Sequence, residues 1–435
     1  MLSRSLHIFY GCMLLAFNTT LLAEYNTATH GINQKINQGN TSSINLQDAV
    51  HKTFEHNPAL RTFSYALKAQ AGRQLQAGLS ASPELNFSIE DVAGTGEFTG
   101  TDNAQATLSI GWVLEGDIRQ GYIDVSNADS LSISTEQTSK RLDAAAETAR
   151  LYLICLAYQA RMNNAVKTVE LAKETVAAVK KRVSAGRAPE AELARAQAEI
   201  SRRQLQLEDI VHELGSAIRL LAAQWGETRP GFTRVQGDIF VTPTNIPYEA
   251  FRESLEQSPA FLRMLSDKRL KQAELKLAKS QSNSAWRLNL GVRHFQTTND
   301  QALVAGISIP FGERSRNTGR ITEAREKLSQ TQAKEDELRV RFETTLYVVS
   351  QELEHSLHRL HTYRKHIIPQ LEKALKETRR AYQLGRYSYL EWSSVQAELL
   401  AARSALIEAS IDAHLKMIEI ERLTGVQMTQ VADKS

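Results

Sequence analysis

The stretch GRAPEAELARAQAE, residues 186–199, is written a second time as GRYSYLEWSSVQAE, residues 385–398. Gly186, Arg187, Glu192, Gln197, Ala198 and Glu199 meet Gly385, Arg386, Glu391, Gln396, Ala397 and Glu398 without a gap. A long run rich in Ala, Leu, Glu, Lys and Arg precedes each copy, a composition that favours helix. Gly at the end of such a run supplies the left-handed backbone that closes a helix. The residues that follow read as a new start: Ser388 and Glu391 have capping-box spacing, and Pro189 suits a first helical turn. Each copy is therefore read as the tip of a helical hairpin.

The duplication continues outward. LQDAVHKTFEHNPAL (46–60) matches PYEAFRESLEQSPAF (247–261) at Ala49, Glu55, Pro58 and Ala59, paired with Ala250, Glu256, Pro259 and Ala260. At the far end Gly226 of QWGE pairs with Gly425 of LTGV. The repeat is far longer than the roughly 20–50 residues of a solenoid, so two large halves are expected. These are a first repeat over 44–226 and a second over 247–426, with a linker over 227–246 marked by Pro230, Gly231, Gly237 and Pro243. Residues 24–43 are expected to be flexible, and 427–435 a short tail.

Each half has the same internal order. A short helix ends near Pro58 or Pro259, and a second runs to about Ser80 or Gln281. Two stretches with a period of two follow, about 84–92 and 105–114 in the first half, about 286–295 and 301–311 in the second. Leu85, Phe87 and Ile89 alternate with Asn86, Ser88 and Glu90; Leu108, Ile110 and Trp112 alternate with Ser109 and Gly111. In the second half Leu288, Leu290 and Val292 alternate with Asn289, Gly291 and Arg293, and the run to Ile307, Ile309 and Phe311 does likewise. Such strands are long enough to cross a bilayer when tilted, with one apolar and one polar face. Four strands cannot close a barrel, and open edges in lipid are costly. If the strands cross a membrane, other copies of the chain must complete the barrel, and three copies would supply twelve strands. A small soluble sheet packed on helices is the competing reading.

After each strand pair comes a very long helical run, Gly121 to Ala185 and Gly319 to Leu384. At 1.5 Å per residue each would span roughly 100 Å. The helix before the strands and the return helix to Gly226 or Gly425 together nearly equal that length, so two helices stacked end to end could run beside one long one. Ala165, Val169, Ala172, Val176, Val179 and Val183 form a heptad stripe, as do Ile368, Leu371, Leu375, Thr378 and Tyr382. Pro369 is expected to bend the second run.

Composition limits the function. Of 435 residues 42% are hydrophobic and the net charge is +3, with acids and bases interleaved, so nucleic acid is not an expected partner. The N-terminus, MLSRSLHIFYGCMLLAFNTTLLA, reads as a secretory signal peptide over 1–23; a buried first helix and a lipoprotein signal at Cys12 are the alternatives. No later segment is apolar enough for a transmembrane helix. Cleavage would leave Cys155 alone, a buried filler without a disulfide. There is no phosphate loop and no nucleophile constellation, so neither enzyme activity nor a cofactor is expected. His355, His358, His361 and His366 share the second long helix. Steps of three residues fan imidazoles around the helix, so a tight site is not expected and His355 and His358 are only weak metal candidates.

The order of elements, the duplication, the NPAL motif and the hairpin tips resemble the TolC-type outer-membrane efflux proteins. Within that family the chain looks most like the CzcC-like heavy-metal efflux factors, through QAGLSASPELNFSIEDVAGTG (76–96), GVRHF (291–295), GISIPFGERSRNTG (306–319) and YSYLEWSSVQAELLAAR (387–403). The resemblance implies a mainly α chain with a transmembrane β portion. It would be a homotrimer with a 12-stranded barrel in outer-membrane lipid and an α-helical tunnel crossing the periplasm. Its implied partners are a periplasmic adaptor and an inner-membrane pump of the resistance-nodulation-division type, and its implied cargo is heavy-metal cations. Glu391 matches an acidic pore-lining position at the periplasmic entrance, with Glu192 its first-half equivalent. A second family acid falls here on Ser394. The tips at Gly186, Arg187, Gly385 and Arg386 would meet the adaptor. A drug-efflux or type I secretion duct, or a periplasmic coiled-coil protein without a pore, are the alternatives.

Overall fold

The computed structural model describes residues 42–244, 247–283, 285–310 and 316–425. The expected signal peptide and tail lie outside the described residues, as do Cys12 and Phe311. The first half comprises β1 (Ser43–Ile44), α1 (Leu46–His56), α2 (Pro58–Gly78), β2 (Glu84–Glu90), β3 (Gln105–Leu114), α3 (Asp117–Ser184) and α4 (Glu190–Ala223). After β4 (Arg234–Val235) the second half repeats the plan as α5 (Tyr248–Arg252), α6 (Pro259–Ser280), β5 (Trp286–Phe295), β6 (Asp300–Ser308), α7 (Thr318–Thr362), α8 (Ile368–Gln383) and α9 (Tyr389–Thr424).

The long helix α3 has 68 residues, about 100 Å at 1.5 Å per residue. Both α2 and α4 pack along it, as do α6 and α9 from the second half. One asparagine joins the two shorter helices. The Asn57 side chain accepts from the amides of Ala59 (2.9 Å) and Leu60 (3.1 Å) and so caps α2. Its amide group donates to the carbonyl of Gln224 (2.7 Å), just past α4. Gly226, at φ 78°, sits over Pro58. In the second half Ser258 caps α6 through the amide of Phe261, and Gly425, at φ 74°, ends α9. There a Cβ would lie 2.9 Å from Pro259 Cδ, so the position requires glycine on two counts. The NPAL and SPAF motifs and the terminal glycines thus build one helix joint twice.

The second long helix is not a smooth bend at Pro369. Proline has no N–H and its ring collides with the preceding turn, and the chain relieves this with a π-helical turn over Tyr363–Ile367, between α7 and α8. The turn carries Arg364 to the linker, where its guanidinium donates to the carbonyl of Phe240 (2.7 Å) and lies 5.9 Å from that ring.

The principal core lies midway along the helices. Leu151, Tyr152, Cys155 and Leu156 of α3 meet Leu214, Ile218 and Leu221 of α4, with Ile44, Trp225, Phe232, Val235 and Ile239 closing over them. Burial pushes the Cys155 thiol up to about 12, so it is held as an inert thiol. β1 and β4 pair in parallel. Buried Gln159 completes that small sheet from α3, donating to the carbonyl of Val235 (3.0 Å) and accepting from its amide (2.8 Å). The linker is also held by α9: the Ser410 hydroxyl and His414 Nε2 both bond the carbonyl of Ile239.

The four long strands form one antiparallel sheet in the order β2-β3-β5-β6. The register places Leu85, Ile110 and Leu290 in one row and Phe87, Leu108, Val292 and Leu303 in the next. With Trp112, Leu288 and Ile307 they make one apolar face, and that face is exposed: Phe87 at 65% and Leu303 at 82%. The opposite face is polar. There Arg293 pairs with Glu90 (3.0 Å) and donates to Thr107 (2.9 Å) and Gln105 (3.1 Å), crossing three strands. β2 stops at Glu90, short of residue 92, because Asp91 turns to φ 61°. β6 stops at Ser308, short of 311, and Pro310 just beyond it has no amide for a ladder.

On the polar face a Cβ at Gly291 would lie 2.6 Å from both Leu108 O and Ser109 Cβ, contacts that only a backbone shift could relieve. Gly306 has 4.0 Å to its nearest neighbour. Gly291→Ala should therefore reduce the amount of folded protein recovered several-fold, and Gly306→Ala should not, as read by quantitative blotting of cell extracts. A second expectation concerns His414. Burial outweighs the two linker carbonyls and Asp238 and pushes its imidazole below the ordinary histidine range. The folded state then binds fewer protons than the unfolded one, so stability is full above about pH 6.5 and declines as pH falls below it. His414→Gln keeps a donor without a titrating ring. The fall in Tm between about pH 7.5 and pH 5.5 should be smaller in that variant than in the parent protein.

Candidate functional site at the paired hairpin tips

Both tips end as glycine requires. Gly186 (φ 67°) and Gly385 (φ 75°) are left-handed, and the next amides return to the helix, Arg187 to Arg182 O and Arg386 to Ala381 O, each at 2.9 Å. The second tip carries the capping box: the Ser388 hydroxyl accepts from the Glu391 amide, and the Glu391 carboxylate accepts from the Ser388 amide (2.7 Å) and hydroxyl (2.9 Å). The first tip has no side-chain cap, and Pro189 stands at the N-cap rather than inside the first turn.

The two tips lie against each other. Val179 and Ala196 of the first hairpin enclose a buried cluster with Tyr382, Tyr389 and Trp392 of the second. The rings of Tyr382 and Trp392 are 5.0 Å apart. Arg182 lies 4.4 Å over the Tyr382 ring and donates to the carbonyls of Tyr382 and Arg187. The Tyr382 hydroxyl donates to the Glu192 carboxylate at 2.9 Å. Farther along the hairpins Gln396 donates to Thr175 (3.0 Å), and Arg379 pairs with Glu174 (3.2 Å). Desolvation first, and the bond to Glu192 second, push the Tyr382 phenol well above its usual range, so it stays a donor.

Of the acidic residues singled out from sequence, Glu391 is exposed and Glu192 half-buried. The amide of Ser388, followed by its hydroxyl, holds the Glu391 carboxyl below the usual carboxylate range, so it carries its charge at neutral pH. Ser394 is exposed and donates to Glu398 (3.4 Å). Arg187 and Arg386 are exposed on the two tips, beside the exposed apolar side chains Leu384, Tyr387 and Leu390. His355 and His358 are exposed on α7. Among the described residues no group of three or more His, Cys, Asp or Glu side chains is placed to hold a metal ion.

Sequence reasoning did not single out Arg182 and Trp392, and it read Tyr382 only as part of a seam. The signal lay in comparing the halves. Where the first hairpin has Val183 and Leu193, the second has Tyr382 and Trp392 at the matching positions. An aromatic hydroxyl replacing an aliphatic in a coiled-coil seam needs a partner, and Glu192 supplies it. Tyr382→Phe should weaken the union of the tips by about 1–2 kcal/mol, the lower part of the range for a hydrogen bond to a charged group because Glu192 is half exposed. Faster hydrogen exchange of the amides around Tyr382 and Trp392, with exchange at Leu346 and Leu353 unchanged, is the expected result.

Residues 49–227 match the family model described as Outer membrane efflux protein. Two relatives come from Cupriavidus metallidurans. The chain is 24% identical to the cobalt-zinc-cadmium resistance protein CzcC over 88% of its own length and 90% of that protein. It is 24% identical to the nickel and cobalt resistance protein CnrC over 65% of its length and 67% of that protein. Among solved structures, the outer membrane protein VceC of Vibrio cholerae superposes with a TM-score of 0.72 at 18% identity, covering 87% of this chain and 96% of that one. Residues 49–227 thus match the outer membrane efflux protein family, and over most of its length the chain shares the fold of solved outer-membrane channels, with the duplicated hairpins and the outward-facing apolar sheet described above.

Proposed function

We propose that the chain is the exit duct of a tripartite efflux system and that it exports heavy-metal cations. In this reading three copies close a 12-stranded barrel, each supplying β2-β3-β5-β6, and the long hairpins continue it as a periplasmic tunnel. The observation that carries the duct is the sheet itself. Its apolar face is bare to solvent in the single chain, and among the described residues β2 and β6 each have one edge with no strand paired to it. Lipid accounts for the face, and neighbouring copies account for the edges.

The paired tips are the periplasmic end in this reading. Three copies of Glu391 form a negative ring there, which favours cations, with Glu192 behind it and Ser394 replacing a second acid. Gly186, Arg187, Gly385 and Arg386 face the periplasmic adaptor, which links the duct to an inner-membrane pump that supplies the energy. The cargo is inferred from the metal-resistance relatives, CzcC and CnrC. The test is growth of a strain lacking the protein on zinc, cadmium, cobalt, nickel, copper and silver salts, and beside them on dyes, detergents and hydrophobic drugs. Sensitivity confined to a group of metals, restored by the intact gene, is expected. Drug and detergent sensitivity with normal metal tolerance would reject the cargo and leave the duct.

A further inference from the structure

The histidines of the second long helix do not all stand as a regular helix would place them. On an α-helix His361 and His366, five residues apart, would point about 140° away from each other at 100° per residue. The π turn over Tyr363–Ile367 lies between them. Bonding from i to i+5 brings residues five apart onto neighbouring turns. The two imidazole rings accordingly lie with centroids 5.9 Å apart and planes inclined at 62°, and both side chains are exposed. Among the described residues this is the one pair of histidine rings in contact.

We propose that His361 and His366 form a two-imidazole site for a divalent transition-metal cation of the Cu2+, Ni2+ or Zn2+ class. Imidazole nitrogens bind such ions at about 2.0–2.1 Å, which sets two rings sharing one ion roughly 5–6 Å apart between centroids. The observed pair therefore needs side-chain rotation only. The charges beside it have separate positions. Arg364 is turned away, bonded to the carbonyl of Phe240. Lys365 is exposed between the two histidines, and its charge weakens the site without blocking it. With two protein ligands the remaining coordination positions are filled by water, so the site is a fast-exchanging one, and Cu2+ binds more tightly than Ni2+ or Zn2+. None of this depends on which compound the duct carries.

The experiment is titration of the purified, tag-free, full-length protein in detergent micelles with Cu2+, read by calorimetry and by the nitrogen couplings in its electron paramagnetic resonance spectrum. His361→Ala and His366→Ala should each weaken the site at least tenfold and remove one coupled imidazole. His355→Ala and His358→Ala should leave both readouts unchanged. All four positions are exposed, and circular dichroism of each variant checks that the helices are intact. Binding that survives either His361→Ala or His366→Ala, or that is lost equally in His355→Ala or His358→Ala, would overturn the proposal.

Discussion

Backbone polar groups need partners, and among the described residues the outer edges of β2 and β6 have no strand paired to them. Four antiparallel strands carry an outward apolar face that suits lipid, where an unpaired N–H or C=O costs several kcal/mol. The rest of the architecture depends on that constraint. The two halves each deliver a strand pair to the same sheet, side by side, with β2 and β6 at its two edges. The duplication provides this: β3 and β5 join the halves at the centre of the sheet, and β2 and β6 remain outside.

The helices solve a related problem at the other end. A helix of 68 residues exposes more apolar stripe than any single partner covers. Two shorter helices joined end to end cover it, and the joint has to satisfy a C-terminus and an N-terminus at one point. Asn57 does so with one side chain, its oxygen capping α2 and its nitrogen taking a carbonyl beyond α4. At the free end of the hairpins each tip would otherwise stand alone in solvent. Burial of Tyr382 and Trp392 between them, with Arg182 as a clamp, makes the two hairpins one unit.

Much of the fold could be read from residues alone, because its main signals are local. Alternation at Leu85, Phe87 and Ile89 marks a strand wherever it lies, and glycine after a helical run marks an end. The stacking of α2 and α4 along α3 follows from matching lengths. The details of the site were less legible. Glu391 is visible as a cap from its spacing to Ser388, but the use of Glu192 as an acceptor for Tyr382 depends on two hairpins lying together. That contact spans 190 residues, and no local pattern encodes it. Pro369 announced a disturbance in its helix, but whether a proline kinks a helix or widens one turn depends on packing on every side, and here the linker at Phe240 is part of that packing.

The widened turn also changes how the second long helix must be counted. Buried Leu346, Val349, Leu353, Ser356 and Leu360 recur at alternating steps of three and four. Continued at those steps, the stripe would fall on 370, 374, 377 and 381. The inward positions beyond the π turn are instead Leu371, Leu375, Thr378 and Tyr382, one residue later. The frame slips by one along the chain, yet the seam stays on one side in space, because a π turn takes up the extra residue. In a rod built from 3.6-residue turns, one surplus residue would rotate everything downstream by about 100° and turn Tyr382 away from Arg182 and Glu192. The union of the tips therefore rests on a phase correction made far up the helix, at the level of the linker.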